Sequence, residues 1–121
     1  MKFLIVDDHH LARRMLRQVV LGNPLWCVVG EAANGLEAVE QMDRDPGVVL
    51  MDIVMPVMNG LEATRRIKRL APDTIVILTT AYQNIEFMRQ SLKVGADGFV
   101  LKDDLTTDLL QDNLAHLFSE R

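Results

Sequence analysis

The chain has 121 residues and a net charge of −4, the size of one domain; two separate cores would be starved at this length. Hydrophobic residues make up 49% and charged residues 25%, which excludes a disordered or collagen-like chain, and the mild acidity argues against binding nucleic acid through bulk positive charge. A lone Cys27 excludes an internal disulfide, and no apolar run approaches the ~20 residues of a membrane span or forms a signal-peptide core, so residues 1–121 read as one cytoplasmic domain without membrane contact.

Short apolar runs alternate with amphipathic stretches. Phe3-Leu4-Ile5-Val6 is ended by Asp7-Asp8, and Leu11, Met15 and Val19, with Leu16 and Val20, then repeat at helical spacing. Arg13, Arg14, Arg17 and Gln18 take the opposite face of that helix, and Gly22-Asn23-Pro24 stops it. Trp26-Cys27-Val28-Val29 reads as a second strand, with Cys27 a buried small hydrophobe. Asn34 and Glu37 form a capping-box pattern for a helix running to about Arg44, and Asp45-Pro46-Gly47 is a turn. Val48-Val49-Leu50-Met51 is ended by Asp52, and a loop with Pro56 and Asn59-Gly60 precedes a helix from about Leu61 to Leu70. Ile75-Val76-Ile77-Leu78 is ended by Thr79-Thr80, and Ile85, Met88 and Leu92 mark a fourth helix closed by a left-handed Gly95. Phe99-Val100-Leu101 is ended by Lys102, and Leu110, Leu114, Leu117 and Phe118 line the last helix.

Five strands alternating with five helices predict an α/β domain with a doubly wound, five-stranded parallel sheet of flavodoxin-like order. The first, third and fourth runs are apolar at every position, as strands covered on both faces are, which places them centrally. Such sheets bind ligands beyond the carboxyl ends of their strands. The residues ending the runs therefore converge on one rim: Asp7, Asp8, Asp52, Thr80 and Lys102. Each alone has an ordinary explanation, Asp8 as a helix cap, Thr80 as a strand residue and Lys102 as a solvated charge. Together, three carboxylates and one ammonium leave a local charge of −2, which one divalent cation brings to zero. An all-oxygen set with no His/Cys zinc spacing predicts Mg²⁺ or Mn²⁺, with phosphate as the group bridged.

The segments Val6-Asp7-Asp8-His9, Leu50-Met51-Asp52-Ile53-Val54-Met55-Pro56, Thr80-Ala81 and Gly98-Phe99-Val100-Leu101-Lys102 resemble the receiver domain of two-component response regulators. The resemblance spans essentially the whole chain and carries the CheY-like strand order 2-1-3-4-5 with it. It implies a phosphoryl group taken from a sensor histidine kinase onto Asp52, with Asp7, Asp8, Asp52 and the Val54 carbonyl as metal ligands and Lys102 against the phosphoryl oxygens. It also implies that Thr80 is the switch hydroxyl, that Phe99 is the aromatic switch, and that phosphorylation drives formation of a homodimer. Such a domain is no enzyme beyond its own phosphotransfer and dephosphorylation. Asp-Asp-His near the start and Leu101-Lys102-Asp103 look like receivers joined to LuxR- or NarL-type DNA-binding modules. Asp103-Asp104 departs from the proline that many receivers place after the lysine. With no room for such a module in 121 residues, the chain is read as a stand-alone receiver or as one piece of a longer protein.

His9-His10 read as solvated, Arg65-Arg66-Ile67-Lys68-Arg69 as a solvated helix face, and Met55 and Met58 as loop packing. Among competitors, an aspartate-nucleophile phosphatase wants an acid where Val54 stands. A flavodoxin wants a hydroxyl-rich loop where Asp7-Asp8 stand, and no P-loop exists. The remaining alternative is a receiver that binds partners without phosphorylation.

Overall fold

A computed structural model describes residues 1–119. Its elements are β1 (Lys2–Val6), α1 (His10–Leu21), β2 (Cys27–Ala32), α2 (Gly35–Glu40), β3 (Val48–Asp52), α3 (Gly60–Leu70), β4 (Ile75–Thr80), α4 (Ile85–Lys93), β5 (Gly98–Leu101) and α5 (Thr107–Ser119). The five strands form one parallel sheet in the order β2-β1-β3-β4-β5. Every residue of β3 and β4 is buried, whereas the edge strands β2 and β5 are half-covered.

Alternate strand residues feed two cores. Phe3, Ile5, Leu50 and Ile77 point to one side with Leu16 and Val20 of α1 and Leu110 and Leu114 of α5. Leu4, Val49, Met51 and Leu78 point to the other with Ala38 of α2 and Ala63 and Ile67 of α3. Burying one Leu or Ile contributes roughly 1.5–3 kcal/mol, against ~1 for a helix cap, so the strand pattern dominates the fold.

Local signals still set the boundaries. Asn34 Oδ1 accepts the Glu37 N–H at 2.9 Å, but Glu37 returns the bond to the Asn34 side chain rather than to its backbone. The helix begun there tightens into a 3-10 turn over Gln41–Arg44. Gly95 has φ +91°, and the bonds Gly95 N–H to Leu92 O and Ala96 N–H to Ser91 O close α4 in a Schellman motif. Asn59, expected in a loop, caps α3 through the Glu62 N–H at 2.9 Å. Gly60 then lies so close to β3 that a Cβ would collide with the Asp52 carbonyl, and its N–H donates to Ile53 O at 2.8 Å.

Several burial expectations are corrected. Leu11 and Met15 are exposed, because α1 turns Leu16 and Val20 inward instead. On α4, Ile85, Met88 and Leu92 face solvent, and the helix leans on the sheet through Phe87 and the small Ser91. Phe118 is exposed at the end of α5. Cys27 is exposed at the start of an edge strand, while its neighbour Trp26 takes the core position against Phe3, with ring centroids 5.0 Å apart. Lys68 is not part of a solvated face: its Nζ donates to Asp97 Oδ2 and Thr74 O, both at 2.6 Å, and ties α3 to the chain entering β5.

The loop from β3 to α3 holds Val57, exposed and with φ +68°. A β-branched residue in the left-handed region is strained by roughly 1–2 kcal/mol. Val57→Gly relieves this at little cost in contacts and is expected to stabilise the protein by about 0.5–1 kcal/mol in urea unfolding, after allowance for the extra freedom of unfolded glycine. An unchanged or lower midpoint would show that this loop conformation costs nothing.

Candidate functional site

Strand register assembles the site. Val6 pairs with Met51, Asp52 with Thr79, and Thr80 with Leu101. The residues following β1 and β5 therefore stand level with the last residues of β3 and β4, and Asp7, Asp52, Thr80 and Lys102 share one edge. Asp7 and Thr80 are buried, Asp52 is 5% exposed, and Asp8 is partly open to solvent.

Lys102 Nζ lies 2.6 Å from Asp7 Oδ2 and 3.4 Å from Asp52 Oδ2. Asp52 Oδ1 accepts the Ile53 N–H at 3.0 Å, and Asp7 Oδ1 accepts the His9 N–H at 2.9 Å. Thr80 Oγ1 accepts the Tyr82 N–H at 3.2 Å, which leaves the hydroxyl proton to be donated elsewhere. A cleft of about 110 Å³ opens over these groups, lined by His9, Asp52, Val54, Thr80, Ala81, Tyr82 and Lys102. At ~30 Å³ per water it has room for a small oxyanion. A larger apolar groove of about 440 Å³, lined among others by Met88, Phe99 and Leu109, shares no residue with this cleft and gathers no comparable charge.

Burial raises the Asp52 pKa from 3.8 to about 6, against the pull of Lys102 and with the repulsion of Asp7 added. Burial by itself would depress Lys102, but its hydrogen bond to Asp7 and the charges of Asp52 and Asp7 outweigh it and hold the ammonium above its ordinary range. Near neutral pH Asp52 is thus mostly ionised, an oxygen nucleophile beside a fixed positive charge.

The donor set fits a hard dication. Asp8 Oδ1 is buried and accepts no hydrogen bond, and the buried Asp7 Oδ2 meets the Lys102 ammonium alone. One ligand atom each from Asp7, Asp8, His9 and Asp52 lies within 4.8 Å of the others. Carboxylates so placed need a cation beyond the single ammonium.

Asp8 does not cap α1. The N-cap residue is His9, and its side chain makes no capping bond. Its ring is solvated, as the sequence indicates, yet its Nδ1 stands 3.2 Å from Asp8 Oδ1. Arg13, placed by periodicity on the outer face, curls back so that Nη1 donates to Asp7 O at 2.6 Å while Nε stands 3.7 Å from Glu31 Oε1. It props the turn that carries Asp7 and Asp8, a role that no spacing rule signals. Phe99 lies apart from the cleft, half-buried on β5 and lining the groove beside Met88.

Comparison with known proteins agrees with this geometry. The response regulator receiver domain family matches residues 3–113. The transcriptional regulatory protein YdfI of Bacillus subtilis is 43% identical over 103 residues, which cover 84% of this chain and 48% of YdfI. A LuxR-family two-component response regulator from Aurantimonas superposes with a TM-score of 0.88 at 31% identity, covering 98% of this chain and 85% of that one. The CheX-CheY-BeF3-Mg²⁺ complex from Borrelia burgdorferi gives a TM-score of 0.86 at 26% identity, with 98% and 89% covered. The chain spans about half the length of the curated transcriptional regulators it matches.

The raised Asp52 pKa has a consequence for stability. Between about pH 4 and 6 the folded protein keeps a proton that the unfolded chain has already lost, so stability falls as pH rises through this window. The shift corresponds to a penalty on the order of 2–3 kcal/mol at neutral pH. In a chelating buffer, Asp52→Asn is expected to raise the urea midpoint over wild type at pH 7.5, with the gap closing below pH 4. A gap of equal size at both pH values would contradict the assignment.

Proposed function

The chain belongs to the response regulator receiver domain family, and on that footing we propose that it takes a phosphoryl group onto Asp52 from a phosphohistidine of a partner sensor kinase. The observation that carries this is the buried Asp52 carboxylate, 3.4 Å from the Lys102 ammonium, in a cleft at the carboxyl edge of the sheet that Thr80 also lines. An Asp52 oxygen attacks phosphorus; the O–P bond forms as the P–N bond to the kinase imidazole breaks, and the electron pair returns to that nitrogen. Lys102 pairs with the phosphoryl oxygens as a point charge, and Ala81 leaves room for them. Asp7, Asp8, Asp52 and the Val54 backbone carbonyl are the proposed holders of Mg²⁺ or Mn²⁺, which would neutralise charge on the phosphoryl group. The shared fold with a CheY solved in a complex holding BeF3 and Mg²⁺ supports Mg²⁺ as the ion.

Phosphorylation adds about one negative charge at Asp52. Thr80 donates its hydroxyl proton to the new oxygens, drawing the β4–α4 loop inward, and Phe99 follows on the neighbouring strand. The change is a modification of the protein itself rather than turnover of a substrate. The same proposal covers control of transcription through an attached output domain, as the relatives' names and lengths suggest, and a homodimer formed on phosphorylation, which rests on the family resemblance alone.

Incubation with Mg²⁺ and a small-molecule phosphodonor is expected to add one phosphoryl unit by intact-mass spectrometry, lost in Asp52→Ala and with chelator. Steady release of phosphate from phosphate esters would instead make the chain a phosphatase. Val54 and Tyr82, 53% and 66% exposed, flank the mouth of the cleft and shield the acyl phosphate from water. Replacing them together, Val54→Asn with Tyr82→Glu, is expected to speed dephosphorylation by about tenfold, or ~1.4 kcal/mol of barrier. An unchanged rate would remove the shielding role.

A further inference from the structure

His9 occupies the N-cap of α1 without capping it. Its backbone N–H is taken by Asp7 Oδ1 at 2.9 Å, and its ring turns to the carboxylates, with Nδ1 3.2 Å from Asp8 Oδ1 and 3.4 Å from Asp7 Oδ1. Opposite ligands of a first-row dication with bonds of ~2.1 Å stand ~4.2 Å apart. The 4.8 Å span that contains the donor atoms of Asp7, Asp8, His9 and Asp52 therefore needs to close by only a few tenths of an ångström. The imidazole is 72% exposed, so it can move that far without disturbing the core. Beside it, Asp8 Oδ1 is buried without a hydrogen-bond donor, an acceptor that a shared cation would satisfy.

Magnesium takes oxygen ligands and surrenders water reluctantly, so an imidazole does little for it. Imidazole suits later first-row ions, whose binding strengthens from Mn²⁺ through Co²⁺ to Ni²⁺. We infer that His9 Nδ1 joins the Asp8 and Asp52 carboxylates as an additional ligand when the site takes a nitrogen-accepting dication of the Co²⁺ or Ni²⁺ class, so that His9 strengthens the binding of such an ion relative to Mg²⁺. This rests on the proposed acidic metal site and adds a second class of ion to the Mg²⁺ or Mn²⁺ proposed there.

Calorimetric titration of the chain with Ni²⁺ and, separately, Mg²⁺ tests the inference. The ratio of Ni²⁺ to Mg²⁺ affinity is expected to fall tenfold or more in His9→Ala. His9→Asn, which restores a good helix cap, is expected to show the same fall and so separates lost ligation from a frayed α1. His10→Ala is expected to keep the wild-type ratio, and Co²⁺ to broaden the His9 ring protons ahead of those of His10 in NMR spectra. A wild-type ratio in His9→Ala overturns the inference, leaves the acidic site standing and makes His9 a counter-ion only. Mg²⁺ binding that survives unchanged in Asp8→Asn overturns the acidic site itself, and the inference with it.

Discussion

The 2.6 Å contact between Lys102 Nζ and the buried Asp7 carboxylate is the interaction around which the carboxyl edge of the sheet is built. One ammonium faces the carboxylates of Asp7 and Asp52, with Asp8 beside them, in a place where burial strengthens repulsion as much as attraction. Burial, with the repulsion of Asp7 added, raises the Asp52 pKa against the pull of Lys102, and the excess negative charge leaves Asp8 Oδ1 without a hydrogen bond. A folded chain built only for stability would have no reason to keep it. The charge makes sense as a standing demand for a cation.

The scaffold holds this edge unevenly, and the unevenness has a direction. On the β1 side, Arg13 grips the Asp7 carbonyl. Beyond β3, Gly60 packs on the Asp52 backbone and Gly35 N–H donates to Met58 O, so the loop above Asp52 is pinned from two helices. The side following Thr80 is different. There α4 buries Ser91 and half-buries Phe87, while Ile85, Met88 and Leu92 look outward. Local stability follows buried apolar contact. The segment that Thr80 would pull is thus the one least committed to the core, which suits an element with two arrangements close in energy.

Periodicity located the strands and helices because central parallel strands are apolar throughout, a pattern hard to confuse with a half-exposed one. Val48–Met51 and Ile75–Leu78 are such runs, and both are central. The identity of the helix faces was harder to read. Spacing alone marks Leu11 and Met15 as readily as Leu16 and Val20, and only the crossing of α1 over β1 and β2 decides between them. Likewise Trp26 and Cys27 are both apolar, and as successive residues at the entry to an edge strand they face opposite ways, one into the core and the other into water.

By itself the sequence determined which residues stand at the ends of the strands, and hence that Asp7, Asp8, Asp52, Thr80 and Lys102 gather on one rim. Parallel register needs no more than run lengths and the rule that strands point one way. Tertiary structure alone decided the pairings within that rim. That Lys102 binds Asp7 more closely than Asp52, that His9 turns to Asp8 instead of capping its helix, and that Arg13 reaches back to Asp7 all depend on side-chain directions. Those directions follow from how α1 packs and from which carbonyls and carboxylates lack partners, and such competition among neighbours leaves no trace in spacing.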